Sequence, residues 1–182
     1  MLTLVTGGSG SGKSAFAEDR ILSFGEAKRI YIATMYPFDE ESHKRIARHR
    51  AMRAGKGFET KECYTGLANI MLPEDCTVLL ECMSNLTANE MFQQDGAHEN
   101  TVEEIIRGVR HLCAQARHTV IVTNEIFSEA ASYEGDTVLY QNYLGEINCR
   151  IAEMAEEVVE VVYGIPVYHK KKMTDHKGGA EK

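Results

Sequence analysis

Short apolar runs rich in β-branched residues alternate along the chain with longer stretches of helical patterning. Near-continuous runs of Val, Ile and Leu are typical of strands buried inside a parallel sheet, and they fall at 2–6, 29–34, 77–82, 119–123 and 158–163. The helical stretches are 13–24, 39–53, 101–117 and 137–157. This alternation predicts an α/β fold with a mostly parallel sheet flanked by helices.

The end of the chain departs from that alternation. Gly164 and Pro166 predict a turn, and residues 167–169 then predict a short strand that returns antiparallel at the edge of the sheet. The charged, glycine-containing residues 170–182 predict a flexible tail. A single domain at 1–169 suits a chain of 182 residues, which can bury one good core.

The first predicted strand leads directly into a glycine-rich loop that satisfies the pattern G-x-x-x-x-G-K-[ST]. A strand before this loop and a helical pattern after it are the context of a nucleotide-binding P-loop, and they weigh heavily against a glycine-rich turn without a ligand. We predict that Lys13 neutralises the β- and γ-phosphates and that the Ser14 hydroxyl binds Mg²⁺. The predicted phosphate-binding residues are Gly7, Gly8, Ser9, Gly10, Ser11, Gly12, Lys13 and Ser14.

A carboxylate close to such a metal ion normally comes from the end of another strand of the sheet. Glu81 ends the apolar run Val-Leu-Leu-Glu, and Glu125 follows Val-Ile-Val-Thr-Asn. Both lie where open α/β sheets bind ligands, at the carboxyl ends of the strands. The alternative for each is an ordinary loop carboxylate, and Glu81 is the better metal-ligand candidate of the two.

The segment 39–56 opens with acidic residues and closes with basic ones, as the dipole of a helix favours. On this helix Arg45 and Arg53 lie four residues before and after His49, on the same face. Cationic neighbours would keep the imidazole neutral and nucleophilic, and they can also bind triphosphate oxygens. The segment is therefore either a site of covalent nucleotidyl transfer or a solvated basic helix with an exposed histidine. His43 is a weaker candidate.

The composition narrows the functional classes. A net charge of −7 argues against broad binding to a nucleic-acid backbone. The five cysteines form no C-x-x-C pair, which indicates free thiols in a reducing compartment. No apolar run approaches the roughly 18 residues of a membrane span, and the loop follows the N-terminus too closely for a signal peptide. We expect a cytoplasmic protein with no nucleic-acid partner.

Several short motifs follow the phosphate loop in a particular order. Together with the loop they resemble the bifunctional adenosylcobinamide kinase/adenosylcobinamide-phosphate guanylyltransferases of cobalamin biosynthesis, the CobU family, over roughly the first 125 residues. The motifs are Tyr-Ile-Ala-Thr from Tyr31, Arg-Ile-Ala-Arg-His-Arg from Arg45, Glu62-Cys63, Leu-Leu-Glu-Cys from Leu79 and Val-Thr-Asn-Glu from Val122.

The resemblance implies a small RecA-like P-loop domain, assembled as a trimer, that carries out two reactions with Mg²⁺. ATP or GTP first phosphorylates the aminopropanol hydroxyl of the corrinoid adenosylcobinamide. GMP then passes from GTP to that phosphate through a phosphoramidate on His49, and pyrophosphate is released. Ser14, from the loop motif, and Glu81, from its position at a strand end, are the predicted metal ligands. Outside the loop, the implied nucleotide contacts are Ala33, Thr34, Met35, Arg50, Ala51, Met52, Arg53, Glu62 and Glu81.

The motif match weakens after Glu125, where only Gly145 and Asn148 keep the family pattern and its arginines are missing. The nucleotide chemistry is therefore more firmly implied than the identity of the acceptor. Two other functions remain open from the sequence. One is a small-molecule kinase of another P-loop family, in which His49 is a surface residue. The other is a non-catalytic nucleotide-binding regulator that engages a protein partner.

Overall fold

The computed structural model describes residues 1–126 and 135–171, and its strands form one seven-stranded sheet in the order β3-β2-β4-β5-β1-β6-β7. The strands are β1 (Leu2–Thr6), β2 (Lys28–Ala33), β3 (Phe58–Glu62), β4 (Cys76–Glu81), β5 (His118–Val122), β6 (Glu157–Val162) and β7 (Ile165–Lys171). The helices are α1 (Lys13–Leu22), α2 (Glu40–Arg53), α3 (Met83–Phe92), α4 (Thr101–Gln115) and α5 (Asp136–Met154). Short 3-10 turns occupy Leu67–Asn69 and His98–Asn100.

All neighbouring strands are parallel except β6 and β7, which form an antiparallel hairpin at one edge. The predicted α/β fold, with a mostly parallel sheet and an antiparallel edge hairpin, is confirmed. The last strand is longer than the predicted 167–169 and continues to Lys171. Residues 172–182 of the predicted tail lie outside the described part of the chain.

The two faces of the sheet are covered unequally. The larger core lies under α3, α4 and α5, and α4 supplies one continuous apolar face. The smaller core lies between the sheet and α1, where Ala17 and Ile21 are fully buried against Val5 and Leu79. Burial on both faces explains why the central strands read as uninterrupted apolar runs. The buried residues of α4 are Thr101, Val102, Ile105, Ile106, Gly108, Val109 and Leu112.

The helix boundaries differ from the sequence prediction at one important place. The helix predicted over 137–157 ends at Met154, so its last residues were wrongly assigned, and Glu157 begins β6 instead. A strand forms here because residues 157–162 pair with β1 on one side and β7 on the other, and this pairing buries Val159 and Val161. Among the described residues, none of the helices combines the length and the apolar character needed to cross a membrane.

Candidate active site

The phosphate loop lies between the end of β1 and the first turn of α1. Its glycines adopt conformations that other residues rarely adopt: φ is 71° at Gly10 and 92° at Gly12. The Ser11 amide donates to the Gly8 carbonyl at 3.2 Å, which closes the loop. The loop leads directly into the helix N-terminus, and free amides and helix dipole together favour an anion there.

Lys13 is the cationic side chain of this loop. It is only 8% exposed, and its Nζ donates to the Gly8 carbonyl at 2.9 Å. Burial lowers the pKa of Lys13, whereas the nearby Cys82 and Glu81 act in the opposite direction. The ammonium group is therefore held against the loop backbone, within the set of groups expected to contact phosphate.

Glu81 connects the loop with the neighbouring strand. One of its carboxylate oxygens, Oε1, accepts a 2.6 Å hydrogen bond from the Ser14 hydroxyl, and Oε2 accepts one of 3.1 Å from the Tyr31 hydroxyl. Glu81 is 8% exposed at the carboxyl end of β4. The two residues predicted to bind the metal ion are thus brought together in the structure.

His49 lies on α2 with its Nδ1 at 3.6 Å from Oε1 of Glu81. This separation is a close contact of the two groups and is longer than a hydrogen bond. The arginines predicted to surround the imidazole have other partners: Arg45 pairs with Glu41 at 3.6 Å, and Arg53 stacks on Tyr31. The charged neighbour that the structure gives His49 is a carboxylate, because Arg45 pairs within α2 and Arg53 packs on Tyr31 of β2.

The segment after β2 is fastened to the end of β4. The Thr34 hydroxyl donates to the Cys82 carbonyl at 2.8 Å and accepts from the Cys82 amide at 2.7 Å. The Asn89 amide group donates to the Thr34 carbonyl at 2.8 Å. These bonds fix Ala33 and Thr34 beside Glu81, whereas Met35 lines a cleft between α2 and α3.

The remaining predicted nucleotide contacts lie further out, at the end of α2 and on β3. Arg50 forms an exposed 2.8 Å ion pair with Glu62, and Ala51 and Met52 are exposed. Arg53 is only 6% exposed, and its guanidinium carbon lies 3.3 Å from the centroid of the Tyr31 ring. The Arg50–Glu62 ion pair therefore lies at the surface, whereas the Arg53 guanidinium is buried against the sheet.

The second metal-ligand candidate, Glu125, follows β5. Its backbone amide donates to the Gly7 carbonyl at 3.1 Å, which brings this residue next to the phosphate loop. Glu81 is the candidate whose carboxylate contacts Ser14. Residues 1–126 and 135–171 contain no cluster of three or more His, Cys, Asp or Glu side chains that could hold a metal ion by themselves.

Sequence comparison agrees with this geometry. The family model for cobinamide kinase / cobinamide phosphate guanyltransferase, CobU, matches residues 3–168. The chain belongs to this family. It is a transferase of the kinase and guanyltransferase class, so a kinase of another P-loop family is excluded. The match also continues well past Glu125, where the motif resemblance had weakened.

Two curated relatives have the same name, bifunctional adenosylcobalamin biosynthesis protein CobU. The one from Salmonella typhimurium is 32% identical over 182 residues, covering 92% of this chain and 98% of its own length. The one from Escherichia coli is 31% identical with the same coverage. The similarity thus extends over nearly the whole of each protein.

Solved structures with much lower identity show the fold alone. A solved ATPase domain has a TM-score of 0.55 at 9% identity, covering 94% of this chain and 77% of that one. The flagellar accessory protein FlaH from Methanocaldococcus jannaschii has a TM-score of 0.51 at 12% identity, covering 94% of this chain and 79% of that one. The sheet and its flanking helices have the fold of a RecA-like P-loop NTPase.

Tyr31 is a residue of this CobU family site that sequence reasoning did not identify. In the sheet register Tyr31 pairs with Leu79, so its side chain shares a face with that of Glu81 two residues further along. Burial raises the pKa of Tyr31 well above its usual value, and Glu81 raises it further, so the hydroxyl remains a donor. Only the pairing of β2 with β4, which the sequence does not encode locally, reveals this contact.

Proposed function

We propose that this chain carries out both reactions of its family: phosphorylation of a corrinoid hydroxyl, and then transfer of GMP to the resulting phosphate through His49. The observation that carries the proposal is the chain of contacts from Ser14 to Glu81 at 2.6 Å and from Glu81 to His49 at 3.6 Å. A candidate nucleophile and the phosphate loop share one carboxylate. The groups around this carboxylate can therefore serve two kinds of transfer.

In the phosphoryl transfer the chain supplies position and charge. The loop amides and the α1 N-terminus hold the β-phosphate, and Lys13 leaves the Gly8 carbonyl to contact the β- and γ-phosphate oxygens. The acceptor hydroxyl oxygen bonds to the γ-phosphorus, the bond from that phosphorus to the β–γ bridging oxygen breaks, the nucleoside diphosphate leaves and the hydroxyl proton passes to water. This reaction needs no covalent intermediate on the protein.

The residues near Ser14 suit Mg²⁺. A hydroxyl oxygen and a carboxylate oxygen, 2.6 Å apart, are the hard ligands that this ion binds along with phosphate oxygens. Ser14 and Glu81 would hold the ion, and it would neutralise charge on the phosphates. The Tyr31 hydroxyl keeps the second carboxylate oxygen of Glu81 in place.

In the guanylyl transfer, His49 is the nucleophile. Its Nε2 lone pair forms a bond to the α-phosphorus of GTP, the bond to the bridging oxygen breaks, and pyrophosphate leaves. The proton stays on Nδ1, where the nearby Glu81 carboxylate stabilises the positive ring. An oxygen of the corrinoid phosphate then attacks the same phosphorus, the N–P bond breaks, and neutral His49 is restored.

The outer residues complete the nucleotide site in this proposal. Nη1 of Arg53 is buried without a hydrogen-bond partner in the described part of the chain, which leaves a donor that a phosphate oxygen can satisfy. Exposed Arg50 and Glu62 can exchange their mutual ion pair for nucleotide contacts. The family resemblance adds five further nucleotide contacts to this proposal: Ala33, Thr34, Met35, Ala51 and Met52.

The partners follow from the same proposal. The acceptor is a corrinoid, and the assembly is a homo-oligomer, a trimer by resemblance to the family. The net charge of −7 is consistent with a protein that binds no nucleic acid, and we expect it to work in the cytoplasm.

Mass spectrometry of the protein after incubation with α-labelled GTP and Mg²⁺ tests the intermediate. We expect one GMP adduct, on His49, and exchange of labelled pyrophosphate into GTP without an acceptor. His49→Asn should abolish both signals and spare phosphoryl transfer to the corrinoid. His43→Asn, an exposed histidine on the same helix, is the matched control and should behave as wild type.

An adduct on another residue, or none, would remove the guanylyltransferase part of the proposal. The kinase would then stand alone if the corrinoid is still phosphorylated. Binding of GTP without either product would instead support the regulator. The three functions therefore give three different results in one set of assays.

A further inference from the structure

The turn between β6 and β7 forms part of the wall of the phosphate loop. The Gly164 amide donates to the Ser11 carbonyl at 2.8 Å. A Cβ atom on Gly12 would lie 3.3 Å from Cα of Gly164, and one on Gly7 would lie 2.5 Å from the Val161 carbonyl oxygen. The backbone of the hairpin is thus packed directly on the backbone that receives the nucleotide.

Tyr163 occupies an unfavourable position in this turn. Val162 pairs with Ile165, so Tyr163 and Gly164 are the two central residues, and both have positive φ, at 50° and 81°. Such turns are of type I′ and strongly favour Asn-Gly, because a bulky side chain is strained at positive φ. The tyrosine is 94% exposed, so burial of its ring does not offset that strain. Strained residues of this kind cluster at ligand sites.

The position of the β6–β7 turn places the Tyr163 ring on the side of the phosphate loop where the nucleoside is expected. Lys13 and Ser14 hold the β- and γ-phosphates, and Ser14 contacts Glu81 on β4. In the strand order, β4 and the β6–β7 hairpin lie on opposite sides of β1. A triphosphate whose γ end lies towards β4 therefore extends its nucleoside end towards the hairpin.

We propose that the Tyr163 ring is a stacking surface for the nucleoside base of the triphosphate that donates its γ-phosphate. This rests on the kinase part of the proposed function. In guanylyl transfer the α-phosphorus must reach His49 on the β4 side, so the base lies elsewhere in that reaction. Stacking does not read the hydrogen-bonding edge of a base, and the site therefore accepts adenine and guanine nucleotides alike.

Tyr163→Asn separates this role from structural effects, because it removes the ring and creates the preferred Asn-Gly turn. We expect the Kd for β,γ-imido analogues of ATP and of GTP to rise by about tenfold, as for loss of one base-stacking aromatic residue. The midpoint of thermal unfolding should stay the same or increase. Calorimetry in the His49→Asn background measures the Kd without a covalent adduct.

Three controls make the test decisive. Tyr163→Phe keeps the ring and should bind both analogues within about twofold of wild type, since stacking needs no hydroxyl. Inorganic tripolyphosphate has no base, so its affinity should be unchanged in Tyr163→Asn. Tyr168→Asn removes another half-exposed tyrosine of the same hairpin and should leave both Kd values unchanged.

Three results would overturn the proposal, and the first two concern binding. One is an unchanged Kd for the analogues in Tyr163→Asn; the other is an equal loss of tripolyphosphate binding, which would mean damage to the loop. A change in oligomeric state by light scattering would assign the ring to contact with a second copy of the chain and would also overturn it. None of these measurements depends on a GMP adduct. A result against the His49 intermediate can therefore be distinguished from a result against base stacking on Tyr163.

Discussion

The two helices next to the nucleotide site, α1 and α2, are held in place in different ways. α1 follows the phosphate loop and buries four of its ten residues, Lys13, Ala17, Glu18 and Ile21. α2 has fourteen residues and buries only Arg53. The phosphate-binding side of the site is therefore part of the core, whereas the helix that carries His49 is mostly solvated.

The contacts of α2 are concentrated at its C-terminal end. The Arg53 guanidinium stacks on Tyr31, and just beyond the helix Lys56 forms an ion pair with Glu18 of α1. The Lys56 carbonyl also accepts a 3.0 Å hydrogen bond from Arg29. His49 lies one turn before these contacts, so a few polar side chains determine its position. Close packing of the backbone therefore fixes the phosphate-loop half of the site, and polar side-chain contacts fix the half that carries His49.

Gly7→Ala should give the largest effect, because it breaks the backbone packing of the loop half. Its Cβ would lie 2.5 Å from the Val161 carbonyl oxygen and 2.7 Å from the Ser11 hydroxyl, at a φ of 152°. We expect the free energy of unfolding to fall by about 2–4 kcal/mol. Denaturant unfolding measures the change directly.

Gly8→Ala is the matched control within the same loop. An added Cβ at Gly8 would have no atom within 4 Å, so the free energy of unfolding should change by less than about 0.5 kcal/mol. Equal losses in the two variants would mean that close packing at Gly7 is not what holds the loop. The measurement concerns stability and does not depend on how either variant binds nucleotide.

Arg53→Ala should have the next largest effect, because it removes the main anchor of the helix half. The variant loses the guanidinium stacked 3.3 Å from the Tyr31 ring centroid and the packing of its aliphatic stem. We expect a loss of about 1–2 kcal/mol in the free energy of unfolding. Arg48→Ala, which truncates an exposed arginine of the same helix, should stay within about 0.5 kcal/mol of wild type. Similar values for both arginines would contradict the anchoring role.

The same division explains what could be predicted from the sequence. The phosphate loop and its flanking elements depend on local glycine chemistry and apolar runs, and β1 was predicted with its observed bounds, Leu2–Thr6. The strand Phe58–Glu62 was missed because it is polar and lies at the sheet edge, paired only with β2. The helix Met83–Phe92 was missed because seven of its ten residues are buried, which removes the amphipathic pattern.

The surroundings of His49 could not be predicted in the same way. The helical spacing correctly predicts that Arg45, His49 and Arg53 lie on one helix. It does not predict which groups the two arginine side chains contact. The contact with Glu81 depends on the pairing of β2 with β4 and on the anchors after α2. Such contacts join residues that are far apart in the sequence, and they exist only in the folded protein. The phosphate loop was therefore more predictable than the surroundings of His49.

The smallest effect is expected at the free end of α2, where Asp39 caps the helix. Its side chain accepts from the Ser42 amide at 2.7 Å, and the Asp39 amide in turn donates to the Ser42 hydroxyl at 3.0 Å. Asp39→Ala should lower the Tm slightly, and Asp39→Asn, which keeps an acceptor, should lower it less. The hydrogen bonds from Ser42 lower the pKa of Asp39 below its ordinary 3.8.

A lowered pKa fixes the sign of the pH dependence. The charged cap stabilises the folded protein above the pKa that Asp39 has in the unfolded chain, and this contribution is lost as pH falls through the lower folded value. The Tm difference between wild type and Asp39→Asn should therefore shrink as the pH is lowered from neutral to about 3, whereas Asp39→Ala lacks the acceptor at every pH. Circular dichroism melts across that range measure both differences. A gap between wild type and Asp39→Asn that does not change with pH would mean that the charge of Asp39 contributes nothing, and that α2 depends on its C-terminal anchors alone.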